Sequence, residues 1–302
     1  MTKTLKTACS IVLCAALAAH AQDFGDTPYV QTPQNVVDKM LEVAHVTAAD
    51  YVIDLGSGDG RMVITAAKKY GARGFGVDLD KRLVALSNKR AAQAGVADRA
   101  KFYARDLYDT DLSPATVMTI YLLPEVNLMV RPKLLATLKP GTRIVSHDYG
   151  MGEWEPDQSF VMDAPDKPVG RDKKSKVFYW VVPAAAAGKW RWRLDEGGAA
   201  RNFELELNQN FQRLQGTLEM DGVRVPLQDA QLTGDRIHFT ATLTVAGKPV
   251  RYVYGGRIIN NAMEGDVGVA GGAKRPWSAA RTEVRLPEHV TAPPPAPTEF
   301  PK

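Results

Sequence analysis

The sequence predicts an α/β protein, a mostly parallel sheet with helices on both faces, followed by a small all-β antiparallel barrel or sandwich. Three observations carry this. As far as Pro183, apolar strand-like runs ending in acids or glycines alternate with amphipathic helical segments. Pro183-Ala184-Ala185-Ala186-Ala187-Gly188 then breaks the composition. Beyond it, period-two segments separated by glycine turns take over: Phe203, Leu205, Leu207; Ile237, Phe239, Ala241, Leu243, Val245; and Val250, Tyr252, Tyr254.

A chain of 302 residues exceeds one ordinary domain, and its 45% hydrophobic content is that of a globular protein. The formal net charge of +4 is small for the length, and no basic block forms a nucleic-acid stripe. Nucleic acid is therefore not an expected partner. Residues 1–21 have the layout of a secretory signal: Lys3 and Lys6, an apolar run from Ala8 to Ala18, and Ala19-His20-Ala21 as the cleavage site. The run falls short of the ~20 residues that a membrane span needs. Cleavage near Ala21 would export the chain to the periplasm or medium. It would also remove both cysteines, Cys9 and Cys14, leave a charge of +2, and leave no thiol, disulfide or cysteine metal site. No metal site is expected.

The first elements after the signal set the chemistry. Thr32-Pro33 opens a helix, with Thr32 as its cap and Val36, Val37, Met40, Leu41 and Ala44 on one face. Tyr51-Val52-Ile53-Asp54 then reads as a strand, Leu55-Gly56-Ser57-Gly58-Asp59-Gly60 as a tight turn, and Arg61 to Lys69 as a helix. Glycines there allow strained dihedrals and close approach of a ligand, and free N–H groups at the helix start would point at it. A dinucleotide fold wants its third glycine one residue later, where Arg61 stands. Asp54, two positions before the first glycine, suits a ligand with a cationic end better than one with two phosphates.

Two more strands end in acids. Gly74 to Asp78 is a short strand whose Asp78 lies near the interval at which a carboxylate meets ribose hydroxyls, and Asp80 caps the helix Lys81 to Ala94. Lys101 to Ala104 runs into Arg105-Asp106-Leu107-Tyr108. Thr116 to Leu123 is an apolar run suited to a central strand, and Tyr121 to Glu125 follows where ligands sit in open α/β sheets, beyond the carboxyl ends of strands. A helix runs from Pro124 to Leu138, kinked or restarted at Pro132, and the fifth strand is Arg143 to Tyr149. His147 and Asp148 reach the pocket, although a lone histidine is more often structural than catalytic. Strands around Phe160 to Met162 and Ser175 to Val182 complete the sheet.

The Asp54 to Gly60 motif resembles motif I of the class I, seven-strand S-adenosylmethionine-dependent methyltransferases. With Pro28-Tyr29-Val30-Gln31-Thr32-Pro33 before it and Asp106-Leu107-Tyr108 after it, the stretch from residue 28 to 156 resembles the archaeal broad-specificity protein lysine methyltransferases and the mitochondrial enzymes that methylate the ATP synthase c-subunit. Gln31 departs from the proline of that family. The resemblance implies a Rossmann-like seven-strand sheet over residues 22–183 and S-adenosyl-L-methionine as cofactor. It implies cofactor contacts from Asp54, Gly56, Gly58, Gly60, Asp78, Asp106, the Leu107 backbone and Thr32. Tyr121, Pro124 and Tyr29 are the catalytic candidates it leaves, at an apolar mouth with Leu122, Leu123 and Trp154. The Asp/Asn-Pro-Pro-Tyr motif of many amino methyltransferases is absent, as it is from the mitochondrial subgroup.

The expected activity is methyl transfer, onto protein lysine or else onto a small molecule or lipid. A reading from another class, an exported binding protein on a methyltransferase scaffold, is motivated by the signal, since the methyl donor is made in the cytosol. The remaining boundaries are a linker at 184–188, an antiparallel β domain at 189–287 serving stability or dimerisation rather than ligand binding, and an unstructured proline-rich tail at 288–302.

Overall fold

The computed structural model describes residues 29–196, 198–269 and 271–291, so the signal-like segment lies outside the described residues. The first seven strands are β1 (Tyr51–Leu55), β2 (Arg73–Asp78), β3 (Ala100–Ala104), β4 (Val117–Ile120), β5 (Arg143–His147), β6 (Gln158–Asp163) and β7 (Lys174–Val181). They form one sheet in the order β3-β2-β1-β4-β5-β7-β6, with β7 antiparallel to both neighbours and the five strands β1 to β5 parallel. The order reverses between β1 and β4. A crevice opens there at the carboxyl ends of the strands.

Alternation decides what each face carries. Val52 of β1 packs with helix α1 (Gln34–Val43) and helix α2 (Arg61–Tyr70), whereas Ile53 and Leu55 face helix α4 (Pro124–Thr137) with Met118, Ile120 and Ile144. Helix α3 (Lys81–Gln93) packs Val84 and Ala91 against Phe102 of β3, and Asp80 caps it by accepting from the Arg82 N–H at 2.7 Å. The sequence places the fourth strand over Thr116 to Leu123, but pairing ends at Ile120. Tyr121 to Leu123 leave the sheet and become wall of the crevice. Thr32 does not cap α1; Pro33 holds the cap position, and the Thr32 hydroxyl instead faces His147 Nδ1 at 3.2 Å.

The second domain closes on itself. Strands β8 (Gly188–Glu196), β9 (Ala199–Asn210), β10 (Arg213–Met220), β12 (Gln228–Thr233), β13 (Arg236–Val245), β14 (Lys248–Ile259), β15 (Ala262–Val269) and β16 (Arg275–Val284) make an antiparallel ring. Short β11 (Val223–Pro226) flanks β10. This is a barrel, not a sandwich. Asp221-Gly222 and Ala246-Gly247 turn two of its hairpins with both residues at positive φ, the primed-turn geometry that suits twisted strands. Trp190, Trp192, Phe203, Phe239, Tyr252, Tyr254 and Trp277 are all buried in its core, with Trp192 stacked on Phe203 at 5.4 Å.

Two boundary expectations are corrected. The segment expected to be a linker is pinned: buried Gln209 donates to Ala184 O at 2.9 Å and accepts from the Ala186 and Ala187 N–H groups at 2.7 and 3.2 Å. A peptide run with no polar side chains can be buried only if another residue satisfies its backbone, and Gln209 does so. Nor does structure stop at residue 287. Residues Glu288–Thr291 form a helical turn, α5, whose His289 stacks on Phe211 at 4.2 Å and accepts from the Phe211 N–H at 2.9 Å. Phe211 in turn stacks on Trp154 at 5.7 Å, and Gln212 bonds Trp154 and Glu155, joining the barrel to the sheet domain. Residues 292–302 lie outside the described residues.

Candidate active site

The crevice is a cavity of about 670 Å³. Its walls come from the carboxyl ends of β1, β2, β3 and β4 and from the Tyr29–Thr32 segment, which crosses in front of the sheet on its way into α1. Of the residues marked in the sequence, Asp54, Gly56, Gly58, Asp78, Asp106, Leu107, Thr32, Tyr29 and Tyr121 line it. Gly60 and Pro124 stand outside the wall. Gly60, at φ +81°, starts α2, and a Cβ there would fall 2.7 Å from the Phe102 ring, so its smallness serves packing. Pro124 is the first residue of α4, where a missing N–H costs nothing.

The glycine turn is not the N–H cradle that the sequence suggests. Gly56 and Ser57 donate to Val77 O at 3.0 and 2.9 Å, Gly58 donates to Asp78 Oδ2 at 2.9 Å, and Gly60 donates to Ser57 O at 2.8 Å. These donors are used inside the protein. A pyrophosphate finds no ring of free amides here, and the ligand must instead suit carboxylates. Gly58 itself lies under Tyr29: a Cβ at φ +51° would come 2.5 Å from that ring.

Five carboxylates line the cavity, Asp54, Asp59, Asp78, Asp80 and Asp106, and the three at strand ends stand in different settings. Asp54 is buried, aligned in register with Thr119 of β4, and accepts from the Thr119 hydroxyl at 2.6 Å. Burial, opposed by that hydrogen bond and reinforced by Asp78 and Asp59, pushes its pKa up to about 7. Asp78 is half-buried and accepts from the Gly58 and Asp80 N–H groups at 2.9 Å each, which fixes its orientation at the cavity edge. Asp106 accepts from the Tyr108 N–H at 2.8 Å and lines the cavity. A buried acid next to the floor, an oriented acid beside it and a third at the rim fit a ligand that carries a cation and hydroxyl or amino donors. S-adenosylmethionine has all three, and the orphaned, buried Ser57 Oγ in the same wall offers a further polar contact.

The same cavity also has apolar and aromatic lining. Met62, Leu122, Leu123 and Val126 line it together with Tyr29 and Tyr121. Burial raises both phenols, with Asp59 adding at Tyr29 and Asp148 at Tyr121, so Tyr29 is pushed up to about 12 and Tyr121 further. Neither ionises near neutrality. His147 does not line the cavity. It is buried behind Tyr121, rings 4.0 Å apart, with Nδ1 3.2 Å from Thr32 Oγ1 and Nε2 2.9 Å from Ser175 Oγ. Burial first and Lys167 second hold its pKa down to about 4 against the pull of Asp148. It is a neutral structural histidine. Trp154 is also corrected: it is buried at the junction with the barrel, packed on Trp180 and Phe211, and contributes nothing to the mouth.

Sequence reasoning missed Asp59 and Arg61 as site residues. Asp59 is buried and receives Arg61 through two bonds, Nε to Oδ1 at 2.8 Å and Nη2 to Oδ2 at 2.5 Å, while Arg90 reaches the same carboxylate from α3. Arg61 Nη1 continues to the Thr32 carbonyl at 2.6 Å. An arginine where a dinucleotide fold keeps glycine was the available signal.

In sequence the chain is similar to known methyltransferases. A family model for the ANTKMT methyltransferase domain matches residues 54–158. A protein-lysine N-methyltransferase of Saccharolobus islandicus is 44% identical over 130 residues, 43% of this chain and 81% of that protein. The human ATP synthase c-subunit lysine N-methyltransferase is 32% identical over 130 residues, 43% of this chain and 55% of that protein. The chain therefore spans most of the archaeal relative and about half of the human one. Among solved structures, that of an RNA methyltransferase from Salinibacter ruber in complex with S-adenosyl-L-homocysteine is 48% identical, covering 50% of this chain and 93% of that chain at a TM-score of 0.45.

Proposed function

The chain belongs to the family of the archaeal protein-lysine N-methyltransferase and the ATP synthase c-subunit lysine N-methyltransferases, enzymes of the S-adenosylmethionine-dependent class, and on that basis we propose that its methyl acceptor is the ε-amine of a protein lysine. The observation that carries the proposal is that one cavity brings the strand-end acids Asp54, Asp78 and Asp106 together with apolar side chains and two neutral phenols. When bound, S-adenosylmethionine supplies a methyl group on a positively charged sulfur.

The chain's own residues then have distinct tasks. Asp78 and Asp106, oriented by backbone N–H groups, accept from hydroxyl and amino donors of the cofactor, and Asp54 balances its cationic end. Met62, Leu122, Leu123 and Val126 give the aliphatic stem of lysine an apolar surface and exclude water. Tyr121 offers a protonated phenol, a polar group that can orient an amine without taking its proton, while the buried Tyr29 hydroxyl is engaged with the Asp59 and Arg61 cluster and its ring covers Gly58. The amine must arrive neutral, and an apolar site lowers its pKa from the ordinary ~10.4. Catalysis here is alignment and exclusion of water, which suffice for an in-line displacement.

We also propose that the mature protein works outside the cytosol. The support for export is the Lys3 and Lys6 charge, the apolar run and Ala19-His20-Ala21. The test is to incubate the purified mature chain with envelope protein, envelope lipid and RNA fractions in the presence of heavy-methyl S-adenosylmethionine. Heavy methyl on lysine side chains is expected. Label confined to small molecules, lipid or RNA rejects the lysine reading. Detection of the full-length protein solely in the cytosol, with residues 1–21 intact, rejects export.

A further inference from the structure

The Tyr29–Thr32 segment has no sheet or helix partner of its own, yet it forms the front wall of the cavity. Four residues lying over a glycine turn need something to hold them there. Thr32 is held twice. Its hydroxyl meets His147 Nδ1 at 3.2 Å, and its carbonyl accepts from Arg61 Nη1 at 2.6 Å. The Arg61 guanidinium is itself fixed, because Nε and Nη2 engage buried Asp59, so three of its N–H groups have directed partners in one plane. Asp59 is kept ionised by Arg61 and Arg90 although burial opposes it. The Tyr29 ring then lies on Gly58, whose lack of a side chain leaves room for it.

We propose that Arg61 is a positioning residue for methyl transfer: seated on Asp59, it latches the Thr32 carbonyl and thereby keeps Tyr29 closed over the glycine turn in the cavity wall. Resting on the reading of this cavity as the methyl-donor site, the proposal assigns a task to the residue that replaces the dinucleotide glycine. Arg90 is the internal comparison. It neutralises the same carboxylate from the other side but does not touch Thr32. A role limited to balancing the Asp59 charge makes Arg61 and Arg90 equivalent, whereas a latch makes them different. His147 holds the other side of Thr32, so loss of Arg61 loosens the segment and does not remove it.

The distinguishing experiment compares wild type, Arg61→Lys, Arg61→Ala and Arg90→Ala. Lysine can satisfy Asp59 or the carbonyl as a point charge but not both in one plane. The first readout is the rate of chymotrypsin cleavage after Tyr29, followed by mass spectrometry on the ligand-free protein. Losing a hydrogen bond from a charged group should raise the open population, and with it cleavage, by about ten- to a hundredfold in both Arg61 variants. In Arg90→Ala cleavage should stay within about twofold of wild type, below what loss of one hydrogen bond produces. This readout needs no acceptor and stands whatever the methyl acceptor proves to be. The second is turnover at saturating cofactor and acceptor, which should fall at least about tenfold in Arg61→Lys, as expected when alignment and not affinity is lost. Equal cleavage rates in Arg61→Lys and wild type, or equal effects of Arg61→Ala and Arg90→Ala, overturn the proposal. Unfolding of Arg61→Ala leaves Arg61→Lys to decide.

Discussion

The two domains treat their interiors in opposite ways. At the carboxyl ends of β1 to β4 the chain leaves about 670 Å³ open and surrounds it with five acids, of which Asp54 and Asp59 are deeply buried and Asp54 is raised to about 7. Inside the barrel the chain fills the space with seven large aromatics, and Trp192, Tyr254 and Trp277 sit ring to ring at 5.0 to 5.4 Å. One interior holds buried charge in an open space, and the other holds dense apolar contact with the indole N–H groups of Trp192 and Trp277 left unpartnered. The first interior is organised for binding and the second for stability. Buried acids destabilise a ligand-free cavity and are useful only when a ligand answers them, whereas a packed aromatic core contributes directly to folding.

The most severe challenge to this contrast is to fill the cavity domain's glycine turn. Gly58→Arg places a side chain where a Cβ alone comes 2.5 Å from the Tyr29 ring, in a left-handed conformation. Calorimetric titration with S-adenosylhomocysteine should show affinity reduced by at least about a thousandfold, the scale on which a blocked site loses its contacts. The barrel should be untouched, and retained binding heat would show that the ligand sits elsewhere.

Next in size is the reciprocal change. Phe239→Ala removes a fully buried ring stacked on Tyr254 at 4.7 Å, and large-to-small replacements of this kind cost about 3–5 kcal/mol. Denaturant melts should show that loss, while the cofactor dissociation constant of the folded fraction stays unchanged. A shift in that constant would mean that the barrel core and the cavity are coupled.

A third and smaller effect belongs to the buried acid alone. The folded pKa of Asp54, about 7, lies above its ordinary 3.8, so the folded state holds this proton more tightly than the unfolded one. The contribution is therefore full at low pH and is lost as pH rises from about 4 to about 7, by an amount on the order of 4 kcal/mol at most. Asp54→Asn keeps an acceptor for the Thr119 hydroxyl and removes the titration. Relative to wild type, the ligand-free variant should gain stability as pH rises from about 4 to about 7 and then level off, read by thermal shift, and it should bind the cofactor more weakly. A pH-independent difference would remove Asp54 from the account.

Much of the fold was legible because local pattern and global architecture agree. Strand runs ending at Leu55, one residue beyond the expected Asp54, and at Asp78 and Ala104, the Asp80 cap and the paired turns at Asp221-Gly222 and Ala246-Gly247 all follow from residue type at short range. The strand-end acids Asp54, Asp78 and Asp106 and the cavity glycines Gly56 and Gly58 were legible for the same reason, whereas Asp59 was not. What could not be read depends on partners far along the chain. The hydroxyl of Thr32 reads as a helix cap and is not one, because His147 arrives 115 residues later. The alanine run reads as a linker until Gln209 folds back on it, and Trp154 reads as a mouth residue until Phe211 covers it. Even the glycine turn misleads, since its N–H groups belong to Val77 and Asp78 on the neighbouring strand.

The reversed strand β7 governs how the protein can be extended. Val181 at its end lies beside Arg143, the first residue of β5, so the chain leaves the sheet at the edge opposite the crevice. The barrel is therefore hung from the rear of the enzyme, against Gly141 and Trp154, and the approach to the mouth stays clear. A strand running the other way would have delivered the added domain onto the doorway. Antiparallel entry into an otherwise parallel sheet makes the C-terminus of this domain a natural coupling point, at which cargo, tethers or anchors can be joined without obstructing a bulky methyl acceptor.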